Sequence, residues 1–339
     1  MRLRGDGIKK VSIKEVAKEA GVSISTVSKA LNDVDVVTPS TKQKVLAAAK
    51  KLNYVPNVIG KRLKLGQSKV IGFYTRSIEA PYFSSIADVI AREVGERGYT
   101  LNIFISTNKE FVMTSILGNV ADGIIGFEEL LTAEDLKILQ KRNVKAVFID
   151  RNIKTETMGS VVFNSRQAAQ QMTEYLIEEG HQVIGFIRSH EGVYDSEERL
   201  TGYQLAMEAA NLPLDARFIL QGNFSEADSL QVMSEFLEST DRLPTAFIAG
   251  NDLSAIGAIK ALKRFGYQVP EDVSVTGFDN IAVLEYFTPG LTTVDNPIEL
   301  QGKTAVAHLL ALIEEQAQGE VFELAGELVL RQSTRRLVE

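Results

Sequence analysis

Apolar residues recur at helical spacing through the first fifty positions. Ile13, Val16, Ala17 and Ala20 share one face, opened by the capping box Ser12-Ile13-Lys14-Glu15 and stopped by Gly21. Ser23 can cap a second helix, with Val27, Ala30 and Leu31 as its apolar side and Asn32-Asp33 as its end. Thr38-Pro39 opens a third, with Val45, Ala48, Ala49 and Leu52 as its buried stripe. The first two helices, joined by a three-residue turn containing glycine, predict a helix-turn-helix, a motif that lays its second helix in the DNA major groove.

From Lys69 the pattern changes to short apolar runs separated by helical stretches. Val70–Tyr74, Thr100–Ile105, Gly123–Phe127, Ala146–Ile149, Val183–Ile187, Ala246–Ala249 and Val273–Phe278 read as strands. Helical patterns lie between them at Tyr82–Arg97, Gln167–Glu179, Leu200–Ala210, Leu230–Leu237 and Leu253–Phe265. Such alternation predicts parallel sheets covered by helices on both faces. The run Gly180-His181-Gln182-Val183-Ile184-Gly185-Phe186 restarts the rhythm of Ser68-Lys69-Val70-Ile71-Gly72-Phe73, which makes two sheets in tandem. His181 falls at a helix-to-strand turn and reads as structural.

Charge divides the chain the same way. Residues 1–69 carry 15 Lys+Arg and 5 Asp+Glu, leaving 22 basic and 39 acidic residues for the rest of a chain whose net charge is -7. A basic head on an acidic body points to a polyanion partner for the head. The absence of cysteine excludes disulfides and thiolate chemistry. No apolar run reaches membrane-spanning length, and the N-terminus lacks a signal-peptide pattern, so a cytoplasmic location is expected.

The run Val11-Ser12-Ile13-Lys14-Glu15-Val16-Ala17-Lys18-Glu19-Ala20-Gly21-Val22-Ser23-Ile24-Ser25-Thr26-Val27-Ser28-Lys29-Ala30-Leu31-Asn32, with the later Leu52-Asn53-Tyr54-Val55-Pro56-Asn57, closely resembles the DNA-binding head of the lactose-repressor/galactose-repressor family. The resemblance extends through nearly the whole chain. It implies a small all-α helix-turn-helix head plus an α/β body with two doubly wound parallel-sheet lobes, as in periplasmic binding proteins. The implied division is a head at 1–55, a hinge at 56–68 and a body at 69–339. Lobe 1 takes about 69–163 and 295–320, and lobe 2 about 164–294 and 321–339. The chain crosses back at Leu291-Thr292-Thr293-Val294-Asp295-Asn296-Pro297. No leucine-heptad tail follows, so nothing suggests a tetramerisation helix.

The resemblance also implies roles for residues. Ile24, Ser25 and Lys29 match base-reading positions, where Lys29 can donate to guanine and Ile24 can offer an apolar contact. Ser23, Thr26 and Ser28 suit phosphate contacts, though caps and a solvated helix surface are the plainer reading. Asn57 belongs to the matching motif, and Leu63 matches a leucine that wedges between base steps in the minor groove. Gly60 departs from the alanine usual there. In the body, Asp150, Arg199, Asn251 and Asp279 match effector contacts at strand ends, where doubly wound sheets bind ligands. Phe224 matches an aromatic that stacks on the ligand, and Tyr82 and Phe83 match an aromatic pair, although Phe83 reads more readily as core. Asp252 reads as a cap of the following helix. The stretch Ser106 to Asp122 is about one helical turn shorter than usual in the family.

These matches imply a homodimeric, ligand-controlled transcription repressor with two partners: double-stranded operator DNA and a small polar effector. A sugar or sugar phosphate comes first as effector and a purine second; no cofactor and no metal are implied. The competing reading is a sugar-acting enzyme with an attached DNA-binding head. It lacks a Gly-x-x-x-x-Gly-Lys-Ser/Thr loop and a Gly-x-Ser-x-Gly elbow.

Overall fold

The computed structural model describes residues 11–31, 36–55, 67–127, 131–149 and 151–337. The chain forms two compact units, Met1–Ser68 and Lys69–Glu339.

In the first unit, α1 (Ile13–Ala20), α2 (Ile24–Leu31) and α3 (Pro39–Lys51) surround a core of Val16, Ala17, Val27, Ala30, Val45, Ala48 and Ala49. The capping box forms, with the Ser12 amide donating to the Glu15 carboxylate at 2.7 Å. Gly21 takes the left-handed conformation (φ 66°) that ends α1 and lets α2 start at once. Thr38 caps α3 by accepting from the Thr41 amide, and Pro39 occupies its first turn.

The second unit holds two parallel sheets. The larger orders its strands β11-β5-β4-β3-β1-β2. These are β1 (Val70–Thr75), β2 (Thr100–Ile105), β3 (Gly123–Phe127), β4 (Ala146–Ile149), β5 (Met158–Phe163) and β11 (Val321–Leu324). The smaller orders them β7-β6-β8-β9, with β6 (Ile184–Arg188), β7 (Ile219–Gln221), β8 (Ala246–Ala249) and β9 (Ser274–Thr276). Lobe 1 carries α4 (Pro81–Glu96), α5 (Lys109–Leu117), α6 (Ala133–Lys141) and α11 (Ile298–Ile313). Lobe 2 carries α7 (Ser165–Glu178), α8 (Tyr194–Ala209), α9 (Glu226–Ser239) and α10 (Asp252–Arg264). The crossing strand β10 (Thr293–Asp295) pairs antiparallel with β12 (Glu327–Val329).

Three features differ from the sequence reading. The boundary at 320 assigned Val321–Leu324 to lobe 2, but β11 pairs with β5 on the lobe 1 sheet, and the chain returns to lobe 2 only after β12. The fully buried strand β5 went unread, because Met158-Gly159-Ser160 opens it without an apolar run. Helix α8 begins at Tyr194, a turn and a half before Leu200. Its first turns bury Asp195, Ser196 and Arg199, so polar residues occupy the inward face where apolar ones signal a helix.

Candidate functional site

On the head, the outward face of α2 carries the residues implied to read DNA. Ile24, Ser25 and Lys29 are exposed, opposite buried Val27 and Ala30. Ser23 and Thr26 have internal work as well. The Ser23 hydroxyl accepts from the Thr26 amide at 3.1 Å and lies 2.8 Å from the Thr26 hydroxyl, which closes the first turn of α2. Ser28 is half-buried. Asn57, Gly60 and Leu63 lie outside the described residues.

In the body, a cleft of about 670 Å³ opens between the lobes. Of the expected effector residues, Tyr82 and Phe83 on α4 and Arg199, Phe224, Asn251 and Asp279 line it, and Asp150 lies outside the described residues. The volume falls within the roughly 300–1,000 Å³ range of small-molecule sites.

Arg199 is the centre of this cleft. It is 3% exposed, so its charge is intelligible only through its surroundings. Its Nε donates to the Ser165 hydroxyl at 3.2 Å, and its Nη1 donates to the Gly250 carbonyl. The guanidinium lies 4.7 Å from the ring centre of Phe278 and 5.6 Å from that of Phe224. Its Nη2 faces two carboxylates, Asp279 at 3.6 Å and Asp195 at 4.0 Å. Both distances are too long for hydrogen bonds. The site therefore presents a fixed donor in ion-pair range of two acceptors and hydrogen-bonded to neither. Burial lifts the Asp279 carboxyl above its ordinary value, against the pull of Arg199 and with the push of Asp195.

Phe224 is held in an unusual way. Asn223 and Phe224 both take left-handed backbone angles, φ 53° and 55°. Such a conformation is costly for a bulky residue and persists only where neighbours enforce it. Asn251 supplies one restraint, donating from Nδ2 to the Phe224 carbonyl at 3.1 Å. Gly250 supplies room, since a Cβ there would sit 2.7 Å from the Phe224 ring.

Asn251, not Asp252, caps α10: its Oδ1 accepts from the Ser254 amide at 2.9 Å. The expectation that Asp252 caps this helix is thus corrected. Asp252 is the first helical residue, fully buried, and its carboxylate points to the β10 side. On lobe 1, Tyr82 donates to the Gln301 side chain and meets Phe83 edge to face at 6.0 Å. Both rings rest on the lobe 1 core while lining the cleft. Asp195 and Ser165 were missed in the sequence. The signal was the four-residue spacing of Asp195 and Arg199, hidden once the helix was begun at Leu200.

Among the described residues no cluster of side chains suits a metal ion, and no helix is long and apolar enough to cross a membrane. His181 is buried in lobe 2, bonded to Thr245 and the Arg335 carbonyl, and burial lowers its pKa.

Comparison with known proteins gives a consistent picture. Residues 12–57 match the family model for bacterial regulatory proteins of the lacI family, and residues 173–334 match that for a periplasmic binding protein-like domain. The HTH-type transcriptional repressor PurR of Yersinia pestis is 34% identical over 329 residues, covering 95% of this chain and 96% of that protein. PurR of Vibrio parahaemolyticus is 32% identical over 332 residues, covering 96% and 99%. The Lac repressor dimer bound to operator and the anti-inducer ONPF superposes with a TM-score of 0.83 at 28% identity, covering 96% and 100%. The complex of the transcriptional regulator CelR with cellobiose gives 0.73 at 27% identity, covering 95% and 99%.

Proposed function

Because the chain belongs to the lacI family of bacterial regulatory proteins, and is a ligand-responsive, DNA-binding transcriptional repressor rather than an enzyme, we propose that its effector is an uncharged sugar bound in the cleft around Arg199. The observation that carries this reading is the gap between Arg199 and its two carboxylates, 3.6 Å to Asp279 and 4.0 Å to Asp195. Hydroxyl groups donate and accept at once, so adjacent hydroxyls of one ring can bond the guanidinium and a carboxylate together. Phe224 offers an apolar face for the ring itself. A phosphate ester is disfavoured: Glu79, Glu191, Asp195 and Asp279 line the cleft with Arg76 and Arg199, and Arg199 is already balanced by buried carboxylates.

A purine base is the second reading, favoured by relatives that carry the name PurR. A purine can also stack on Phe224 and present an acceptor to Arg199 and an N–H to Asp279. In either case the protein acts in the cytoplasm as a homodimer, one head on each half of a near-palindromic operator. Effector binding changes the lobes and, through residues 56–68, the affinity of the heads for DNA.

The test is a thermal-shift screen of the full chain against sugars, sugar phosphates and purines, since a ligand that binds only the native state raises its stability by mass action. The reading expects shifts with one or a few neutral sugars and none with their phosphates. A shift confined to purines selects the second reading, and a preference for a sugar phosphate contradicts the first.

A further inference from the structure

The effector carboxylate sits on a backbone turn that would not hold its shape unaided. Asp279 and Asn280 follow β9 with φ of 102° and 52°, two consecutive residues in the left-handed half of backbone space. Neither is glycine, so the turn must be enforced from outside.

Asp252 brackets this turn on both sides. Its backbone amide donates to the carbonyl of Phe278, the residue before the turn, at 2.8 Å. Its carboxylate Oδ2 accepts from the amide of Ile281, the residue after it, at 2.9 Å. The other oxygen, Oδ1, accepts from the Thr293 hydroxyl on β10 at 2.6 Å. The carboxylate is completely buried, and Gly277 makes room for it, because a Cβ there would lie 2.3 Å from Oδ1. β10 completes the frame. The Asp279 amide donates to the Val294 carbonyl at 2.9 Å, and Asn280 donates to Asp295 at 2.7 Å. Arg331 donates to Asn280 at 2.7 Å from the returning chain.

A helix cap needs none of this. A buried carboxylate that spans a strained turn and reaches the crossing strand is placed to fix that turn. We infer that Asp252 is a positioning residue for effector binding, which holds the Asp279–Asn280 turn so that the Asp279 carboxylate stands beside Arg199 on the lobe 2 wall of the cleft. The inference rests on the cleft being the effector site. Asp252 itself is fully buried and does not line the cleft, so it is not placed to touch the ligand.

Asparagine can replace this carboxylate, with its oxygen accepting from Ile281 and its amide donating to Thr293, whereas alanine can do neither. The experiment uses full-length protein and the tightest-binding member of a panel of glucose, galactose, ribose, lactose, cellobiose, guanine and hypoxanthine. Affinity is measured by calorimetry for wild type, Asp252→Ala, Asp252→Asn, Asp279→Asn and the double variant Asp252→Ala/Asp279→Asn. Amide hydrogen exchange is followed on the unliganded proteins.

Asp252→Ala is expected to weaken binding about tenfold or more and to speed exchange in residues 277–284 and 291–296 ahead of the rest of lobe 2. Asp252→Asn is expected to restore binding to within about threefold of wild type. The double variant is expected to bind within about twofold of Asp279→Asn alone, since residues acting through one group are not additive. If Asp252→Ala does not fold, Asp252→Ser takes its place with the same expectations. Additive losses in the double variant, or exchange that rises uniformly across lobe 2, would overturn the positioning role and leave Asp252 a stability residue. The exchange arm needs no ligand: if Asp252→Ala does not speed exchange in residues 277–284 and 291–296 ahead of the rest of lobe 2, the inference is overturned whether or not a panel member binds the wild type.

Discussion

Asp195 and Arg199 lie one turn apart on α8, buried together, yet their charged groups stand 4.0 Å apart, too far for a hydrogen bond. Asp195 is instead tied by the Ser165 hydroxyl at 2.7 Å, and the same hydroxyl accepts from Arg199 Nε. Ser165 thus holds the pair apart and keeps a donor and an acceptor open toward the cleft. A unit charge about 4 Å away at an effective dielectric near 20 is worth up to about 4 kcal/mol. Asp195→Asn should therefore relax the bias against anionic ligands. The preference for a neutral sugar over its phosphate ester, measured by calorimetry, should fall by about tenfold or more. An unchanged ratio would show that Asp195 plays no part in selectivity.

Arg199→Ala should remove effector binding more thoroughly than it harms DNA binding. A hydrogen bond from a charged donor typically contributes about 1.5–3 kcal/mol, which corresponds to a loss of at least about tenfold in affinity. Arg199→Lys should not rescue it, because one ammonium cannot reach Ser165, the Gly250 carbonyl and the ligand together. Calorimetry with the wild-type ligand checks both variants: normal affinity in Arg199→Ala removes Arg199 from the site, and normal affinity in Arg199→Lys shows that the guanidinium fork is not required.

DNA contact at Lys29 and helix capping at Ser23 are separable on the head. Lys29 is exposed and makes no contribution to the head's core, so Lys29→Ala should leave thermal stability within about 0.5 kcal/mol of wild type. It should weaken specific DNA binding by about 1–3 kcal/mol. Ser23→Ala removes the bond to the Thr26 amide and should cost about 0.5–2 kcal/mol of stability. Thermal melts and DNA titrations on the two variants check this; a stability loss in Lys29→Ala would contradict the surface assignment.

Asp252 gives the body a signature in pH. Complete burial, reinforced by the nearby Asp279, pushes its carboxyl well above the ordinary carboxylate value of 3.8. In the window between 3.8 and the raised value, the folded protein holds a proton that the unfolded chain has released. Stability from this group therefore falls as pH rises through that window, and is fully present below it. Asp252→Asn, which cannot ionise, should flatten this dependence. Urea denaturation of both proteins from pH 4 upward measures it, and parallel curves would show that Asp252 does not titrate there.

Much of the fold was legible because its signals are local. The capping box at Ser12–Glu15, the left-handed stop at Gly21 and the apolar runs of β2, β3, β4 and β8 are written in adjacent residues. Hidden features depend on distant partners. β11 joins the lobe 1 sheet only through its register with β5, which its half-polar sequence does not announce. Asp252 reads as a cap because Asp at a helix start usually is one, and only its bonds to Ile281 and Thr293 show otherwise. Arg199 and Asp279 are legible by resemblance, whereas Asp195 needs the true start of α8 and Ser165 that of α7.

On the proposed reading, a ligand at Arg199 controls DNA binding by the head. The most direct test of that reading is the affinity of full-length protein for an operator selected from random duplexes, measured at one fixed salt concentration with and without saturating effector. Wild type and Arg199→Ala are compared. Allosteric coupling of ordinary size changes affinity about 5- to 150-fold. A change of that order is expected in the wild type and a ratio near one in Arg199→Ala, with the two proteins alike when effector is absent. A wild-type affinity indifferent to effector, or an Arg199→Ala protein that responds as fully as wild type, would contradict it.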